Sequence, residues 1–212
     1  RLHEELTKSF IDKRASILAR GLKQEMSFKT EIIDGKNVII DGQFIGKLKG
    51  LKLELDLKVG TLDSDIKSLK KAARISISSE LKKRITKIIN TPLLEIKDDF
   101  KIYWEKFPIA KLLPGKDYLD PELSLIVDDI VETNEQKKLQ EYLDKWMKEK
   151  ICYVLKSLID LRSLKESNSS IRALAYQLYE SNGVLKRDKV LSYIKKLGQE
   201  ERKVLRNLGV KF

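Results

Sequence analysis

Met26–Gly50 reads MSFKTEIIDGKNVIIDGQFIGKLKG, with two Asp-Gly pairs, Asp34-Gly35 and Asp41-Gly42, set between short runs of β-branched and aliphatic residues. Asp and Gly accept the left-handed backbone that tight hairpin turns require, so the stretch predicts a hairpin or small meander. The residues that follow, LKLELDLKV, alternate strictly from Leu51 to Val59. Leu51, Leu53, Leu55, Leu57 and Val59 fall on one face, and Lys52, Glu54, Asp56 and Lys58 on the other. That period of two predicts a half-buried strand over 51–59, whose charged face mixes signs instead of forming a cationic stripe.

On either side the period changes to that of a helix. Between Glu4 and Leu22 the residues Leu6, Phe10, Ile11, Ile17 and Leu18 form one stripe, ended near Gly21. After Gly60 and Thr61, the run LDSDIKSLKKAARISISSELKKRITKIIN places Leu69, Ala72, Ala73, Ile77, Leu81, Ile85 and Ile88 near one face. Asp63 or Ser64 is the expected cap, and Asn90 before Pro92 the expected stop. The Ile75–Ser79 stretch forms helix poorly and is a candidate break.

Further along, FKIYWEKFPIAKLLPGKDYLDPELSLIVDD holds Pro108, Pro114, Pro121 and Gly115, which favours a small irregular β unit with Pro108 at an edge or bend. Trp104, beside Tyr103 and Phe107, has two readings, a stacking platform for bases or a core residue, and the second is the more common fate of an aromatic in a small β unit. Residues 134–165 predict a charged amphipathic helix with apolar positions at Leu139, Leu143, Trp146, Ile151, Val154, Leu155, Leu158 and Leu161, and Cys152 packed as a small hydrophobe. Asn168 or Ser169 caps a helix with Ile171, Leu174, Ala175, Leu178 and Tyr179 inside, and Asn182-Gly183 ends it. Val184 and Leu185 are expected to re-enter the core, followed by short helices over about 188–197 and 199–208. Together these readings predict an α+β chain, mainly helical with small antiparallel β elements. Residues 1–130 form a mixed region (β around 28–59, basic helix 63–90, small β unit 99–127), and 131–212 a helical domain.

With 212 residues, 42% of them hydrophobic, the chain is long enough for one sizeable core or two modest ones. It has neither an apolar run of membrane-spanning length nor a leader pattern, so a cytoplasmic protein without membrane partners is expected. One cysteine, Cys152, excludes an internal disulfide and a cysteine-rich metal cluster. One histidine, His3, argues against a histidine metal site or an imidazole base, so no metal or catalytic residue is expected. Adjacent carboxylates such as Asp98-Asp99 and Asp128-Asp129 do not by themselves set the separations that acid-base or two-metal chemistry needs.

The net charge of +11 is unevenly placed. Residues 66–90 carry 8 basic side chains against the lone Glu80, and residues 183–212 carry 9 against 3, while the intervening and preceding segments nearly balance. A polyanion facing either segment gains long-range attraction and counterion release. Solvated lysine-rich faces are the alternative. The candidate phosphate contacts are Lys67, Lys70, Lys71, Arg74, Lys82, Lys83 and Arg84 in the first segment, and Lys186, Arg187, Lys195, Lys196, Arg202, Lys203 and Arg206 in the second. Arg172 joins them, with pairing to Glu166 or Glu180 as its alternative. Such contacts give affinity without base readout.

SSIRALAYQLYESNGVLKR (169–187) followed by LGQEERKVLRNLGVKF (197–212) resembles the C-terminal region of alphaproteobacterial superfamily-2 helicases related to the RNA helicase of the mitochondrial degradosome. In that family such a run precedes an Arg-Leu-Gly-Val-Arg-Phe segment, matched here by Arg206, Leu208, Gly209, Val210, Lys211 and Phe212 with Asn207 interposed. The block WEKFPIAKLLPGKDYLDPELSLIVDD (104–129) and the strand-then-basic-helix block from Gly46 to Arg84 also resemble the region after the motor, so the similarity covers about two-thirds of the chain in order. The resemblance implies an accessory region that holds single-stranded RNA or DNA for an ATP-dependent motor. Its partners would then be nucleic acid, its own motor domains and a nuclease or other docked protein. The chain departs from a whole helicase: it has no Gly-Lys-Ser/Thr phosphate loop, and Asp128-Asp129 lacks the strand and partner motifs of a Mg²⁺ pair. ATP and Mg²⁺ are accordingly expected only in the motor domains and no cofactor here, with the chain a non-catalytic piece of a larger protein. A protein-docking or structural module of the same helicase is the alternative.

Overall fold

The computed structural model describes residues 13–24, 28–57, 62–164 and 168–212. Within them the chain runs α1 (Lys13–Lys23), β1 (Thr30–Ile33), β2 (Asn37–Ile40), β3 (Gln43–Lys49), β4 (Lys52–Leu55), α2 (Asp63–Asn90), β5 (Leu94–Ile96), β6 (Lys101–Trp104), β7 (Phe107–Asp117) and β8 (Asp120–Leu125). Five helices follow: α3 (Thr133–Val154), α4 (Lys156–Arg162), α5 (Ser169–Glu180), α6 (Arg187–Lys195) and α7 (Gln199–Asn207). The fold is α+β, with two four-stranded sheets ordered β1-β2-β3-β4 and β5-β6-β7-β8. It divides into two units. One takes the residues up to Leu113 together with Glu122–Leu143, the other Pro114–Pro121 and Asp144–Phe212.

The two Asp-Gly pairs do make turns. Asp34 and Gly35 have φ of 54° and 65°, and Asp41 and Gly42 of 47° and 73°, the paired left-handed residues whose twist matches that of the flanking strands. In the second sheet Glu105 takes the place of Asp41, with φ of 56°.

That equivalence extends through both sheets. The pairings Thr30↔Ile40, Asn37↔Lys47, Val38↔Gly46 and Ile39↔Phe44 recur 64 residues later as Leu94↔Trp104, Lys101↔Lys111, Ile102↔Ala110 and Tyr103↔Pro108. Each register slips at the same place, between Val38 and Ile39 and between Ile102 and Tyr103, which leaves Ile45 and Ile109 as the extra bulge residues. Both are fully buried, so the bulge turns an isoleucine into the core in each sheet. The following helices match at a spacing of 70: Leu69, Ala73, Ile77 and Leu81 of α2 correspond to Leu139, Leu143, Met147 and Ile151 of α3, and all eight are buried. Between Thr30 and Val154 the chain thus holds a four-stranded sheet followed by a helix twice over. Sequence reading passes over it because only Glu31, Ile32, Asp34, Ile45, Lys47 and Leu48 are repeated identically between 31–50 and 95–114.

Several local expectations change. Pro108 lies in β7, an inner strand, not at an edge. It is tolerated because it flanks the bulge at Ile109, where the ladder is already interrupted. The strand expected over 51–59 ends at Leu55. Beyond it the Asp56 N–H donates to the carbonyl of bulge residue Ile45, while the Asp56 carbonyl and carboxylate accept from the buried Arg14 guanidinium at 2.6 and 3.0 Å. The chain is thereby turned toward α1, Leu57 is left exposed, and Val59 falls outside the described residues. The part of the first predicted helix before Lys13 also lies outside them.

Helix α2 buries the seven predicted residues and runs unbroken through Ile75–Ser79. Its N-cap is Leu62, without a side-chain bond. Neither Asp63 nor Ser64 caps it, but Asp63 and Asp65 sit in the first turn, where their charge favours the helix dipole. The Ser76 Oγ is buried without a hydrogen-bond partner among the described residues.

In the second unit the predicted 134–165 helix is interrupted at Leu155, which begins α4. The i, i+4 stripe Leu139, Leu143, Met147, Ile151 leaves Cys152 just off it, so the cysteine is exposed instead of packed. Asn168 caps α5, its Oδ1 accepting from Ser170 N at 2.8 Å and Ile171 N at 3.4 Å. All five predicted α5 residues are buried, and Ile171, Leu174, Ala175 and Leu178 pack with Leu161, Val190, Ile194, Leu197 and Leu205 into this unit's core. Val184 does not join them: it is 80% exposed, although its neighbour Leu185 packs against the cluster.

Candidate nucleic-acid interface

The buried stripe of α2 advances four residues at a time, from Leu69 through Ala73, Ile77 and Leu81 to Ile85. Each such step overshoots a full turn by roughly 40°, so over its length the stripe winds about 160° around the helix axis. The solvated side must wind with it. At the N-terminal half that side carries Lys67, Lys70, Lys71 and Arg74, spaced i, i+3, i+4, i+7 and all exposed, as one cationic face. Together with Asp129 and Ile130 they border a shallow depression of about 210 Å³. Lys82 and Lys83 are also exposed, but Lys83 lies roughly 160° around the axis from Lys67. The basic residues of α2 therefore do not make one continuous surface.

Arg84 leaves the candidate set. Its side chain is 11% exposed and its guanidinium is committed three times: Nε to Glu80 Oε1 at 3.0 Å, Nη1 to the Gly50 carbonyl at 2.8 Å and Nη2 to the Gly35 carbonyl at 2.5 Å. It fastens the C-terminal half of α2 to two turns of the first sheet. Glu80 is the single acid between residues 66 and 90 and stands four residues before Arg84. That pairing was the available signal that this cation is structural.

The Asp128-Asp129 pair holds the other end. Asp128 Oδ2 accepts the Leu53 N–H at 3.0 Å and its own N–H donates to the Leu51 carbonyl at 3.0 Å, which occupies the open edge of β4. Burial, and then the neighbouring Asp129, push the Asp128 carboxyl above the usual carboxylate range. Asp129 is held below that range, first by its hydrogen bond with Asp128 and further by Lys70 and Arg74. Arg74 Nη2 donates to the Asp129 carbonyl at 2.8 Å, and Lys70 Nζ stands 3.8 Å from its carboxylate. Both Lys70 and Asp129 are more than half exposed, so this ion pair is weak and leaves the lysine open to a stronger anion. Asp129 thus stands beside the cationic face, and Asp128 ties the segment to β4.

Trp104 is 5% exposed, with Lys87 Nζ 5.3 Å from its ring centroid, which makes it a core residue and withdraws the stacking alternative. In the second unit Arg172, Lys186, Arg187, Lys195, Lys196, Lys203 and Arg206 are exposed. Arg206 stands over the Phe212 ring at 5.9 Å. Arg202 is half-buried: Nη2 donates to the Ile194 carbonyl at 3.1 Å and Nε is buried without a partner among the described residues, so its main attachment is internal. The sequence also gave no notice of Asp117. At the β7–β8 tip it accepts the Tyr179 hydroxyl at 2.5 Å and the Arg162 guanidinium at 2.8 Å.

No family model, no curated protein and no solved structure matches this chain.

Proposed function

We propose that this chain is an accessory nucleic-acid-binding region of an ATP-dependent, RNA-directed helicase, and that its principal contact is the cationic face formed by Lys67, Lys70, Lys71 and Arg74. The helicase part of the reading rests on the sequence resemblance. The nucleic-acid part rests on one comparison within the molecule. At the corresponding positions of the second copy, α3 carries Lys137, Gln140, Glu141 and Asp144. The same sheet-and-helix architecture thus forms without a cationic cluster, so the fold does not require one in α2. Asp129 offsets part of the repulsion among these four exposed cations through Lys70 and Arg74, and a bound polyanion would offset the rest.

Such a face tracks phosphates without reading bases, giving weak sequence preference and steep salt dependence. The test is fluorescence anisotropy of the chain with labelled single-stranded RNA and DNA over a salt series. Reversing Lys67, Lys70 and Lys71 to Glu is expected to weaken binding at least tenfold and to flatten the log-log salt slope by about 2, since each phosphate contact on a single strand contributes about 0.7. Lys137→Glu, at the position equivalent to Lys67, is expected to leave both unchanged. An unaltered slope in the triple variant would refute the assignment.

A further inference from the structure

The second unit has a solvent-open cleft of about 490 Å³ with a mainly aliphatic lining, interrupted by Ser157, Asn182, Arg187 and Lys211. Two walls are set by matching helix ends. The N–H of Gly183 donates to the Leu178 carbonyl at 2.7 Å and that of Val210 to the Leu205 carbonyl at 3.0 Å, the first turn passing through left-handed Asn182 and Gly183 (φ 55° and 84°) and the second through Gly209 (φ 89°). These turns bring Val184 on one side and Phe212 on the other to the rim. Val154 and Leu155, at the α3–α4 interruption, complete it. Val184 is 80% and Val154 60% exposed, and Leu155 and Phe212 are also exposed. Exposed apolar residues that run together along an open groove mark a contact with a protein, a membrane or a ligand.

The charges name the kind of partner. The charged residues in the lining are Arg187 and Lys211, with no carboxylate among them. The groove is open and its apolar residues continue out along the rim, whereas a small apolar ligand is normally enclosed over most of its surface. We infer that this cleft receives the apolar face of an acidic amphipathic helix from a partner protein, its aliphatic side chains entering the groove and its carboxylates meeting Arg187 and Lys211. This contact is separate from the α2 face and stands whether or not that face binds nucleic acid.

The test uses the full chain and a labelled model helix with leucines at i, i+3, i+4 and i+7 and flanking glutamates, read by fluorescence anisotropy. Saturable binding is expected. A helix with lysines in place of the glutamates, or serines in place of the leucines, should bind at least tenfold more weakly. Val184→Asp and Val154→Asp, both at solvent-facing positions, should each weaken the glutamate helix about tenfold while leaving circular dichroism and RNA binding unchanged. The double variant Arg187→Glu, Lys211→Glu should reverse the preference toward the lysine helix. Equal binding of both helices, indifference to Val184→Asp, or binding of lauric acid alone without either helix would overturn the proposal.

Discussion

Arg84 offers the sharpest separation between a cation that holds the fold and one that meets a ligand. Replacing it by Met keeps most of the alkyl stem and removes the guanidinium. Its hydrogen bond to the Gly50 carbonyl is partly buried, and a bond of that kind from a charged donor contributes about 1.5 kcal/mol. The Gly35 carbonyl is exposed and regains water when the donor leaves, so about 0.5 kcal/mol is lost there. The i, i+4 pair with Glu80 contributes about 0.5 kcal/mol. Arg84→Met should therefore cost about 2.5 kcal/mol. Arg84→Ala, which also gives up the packed stem, should cost about 4 kcal/mol, at roughly 0.8 kcal/mol per buried methylene. Urea titration followed by circular dichroism measures both. A loss below about 1 kcal/mol in Arg84→Met would refute the clamp and its arithmetic. So would an RNA salt slope in the folded variant that falls as it does on reversing Lys67, Lys70 and Lys71.

Other consequences can be checked in the same titrations. Ser76→Ala removes a buried hydroxyl that has no partner among the described residues and installs the better helix former, so stability should rise by about 1 kcal/mol. Asp117 is held below its ordinary value of 3.8, chiefly by the Tyr179 hydroxyl and further by the Leu119 N–H and Arg162. A carboxylate with a depressed folded value stabilises above the unfolded value, and that contribution is lost as the pH falls through the folded one. Tyr179→Phe should accordingly be less stable than the parent at neutral pH. The difference should shrink as the pH drops below 3.8, and a gap that stays constant into acid would exclude the hydroxyl–carboxylate contact as its source.

Most helices and the first sheet were legible because their determinants are local. A buried stripe such as Leu69 to Ile88 or Ile171 to Tyr179 is written at helical spacing, and Asp41-Gly42 specifies its own turn. What escaped depends on residues distant in sequence. Arg84 reads as one more cation until Gly35 and Gly50 are brought beneath it. Asp128 reads as half of an acidic pair until β4 presents the Leu53 N–H. Leu57 continues an alternation that Arg14 interrupts by taking hold of Asp56. The cationic face itself was legible only in part: composition marked the segment, but the winding of α2 decided that Lys67, Lys70, Lys71 and Arg74 share a side and Lys83 does not.

A chain that contains the same sheet twice faces a hazard while it folds, because strands of identical register are able to exchange between copies. The two sheets differ where exchange would be tested. Val38 pairs with Gly46, and a methyl group at Gly46 would stand 2.1 Å from the Glu54 carbonyl oxygen of β4. The corresponding residue of β7 is Ala110, so β7 does not fit into the place of β3 without pushing β4 aside. In the other direction, Ile40 in the place of Trp104 would leave a void under Lys87, and unfilled core volume is destabilising in proportion to its size. One glycine and one tryptophan thus act as a key that keeps each strand in its own sheet, and refolding of a Gly46→Ala, Trp104→Ile chain should populate mispaired species that the parent avoids.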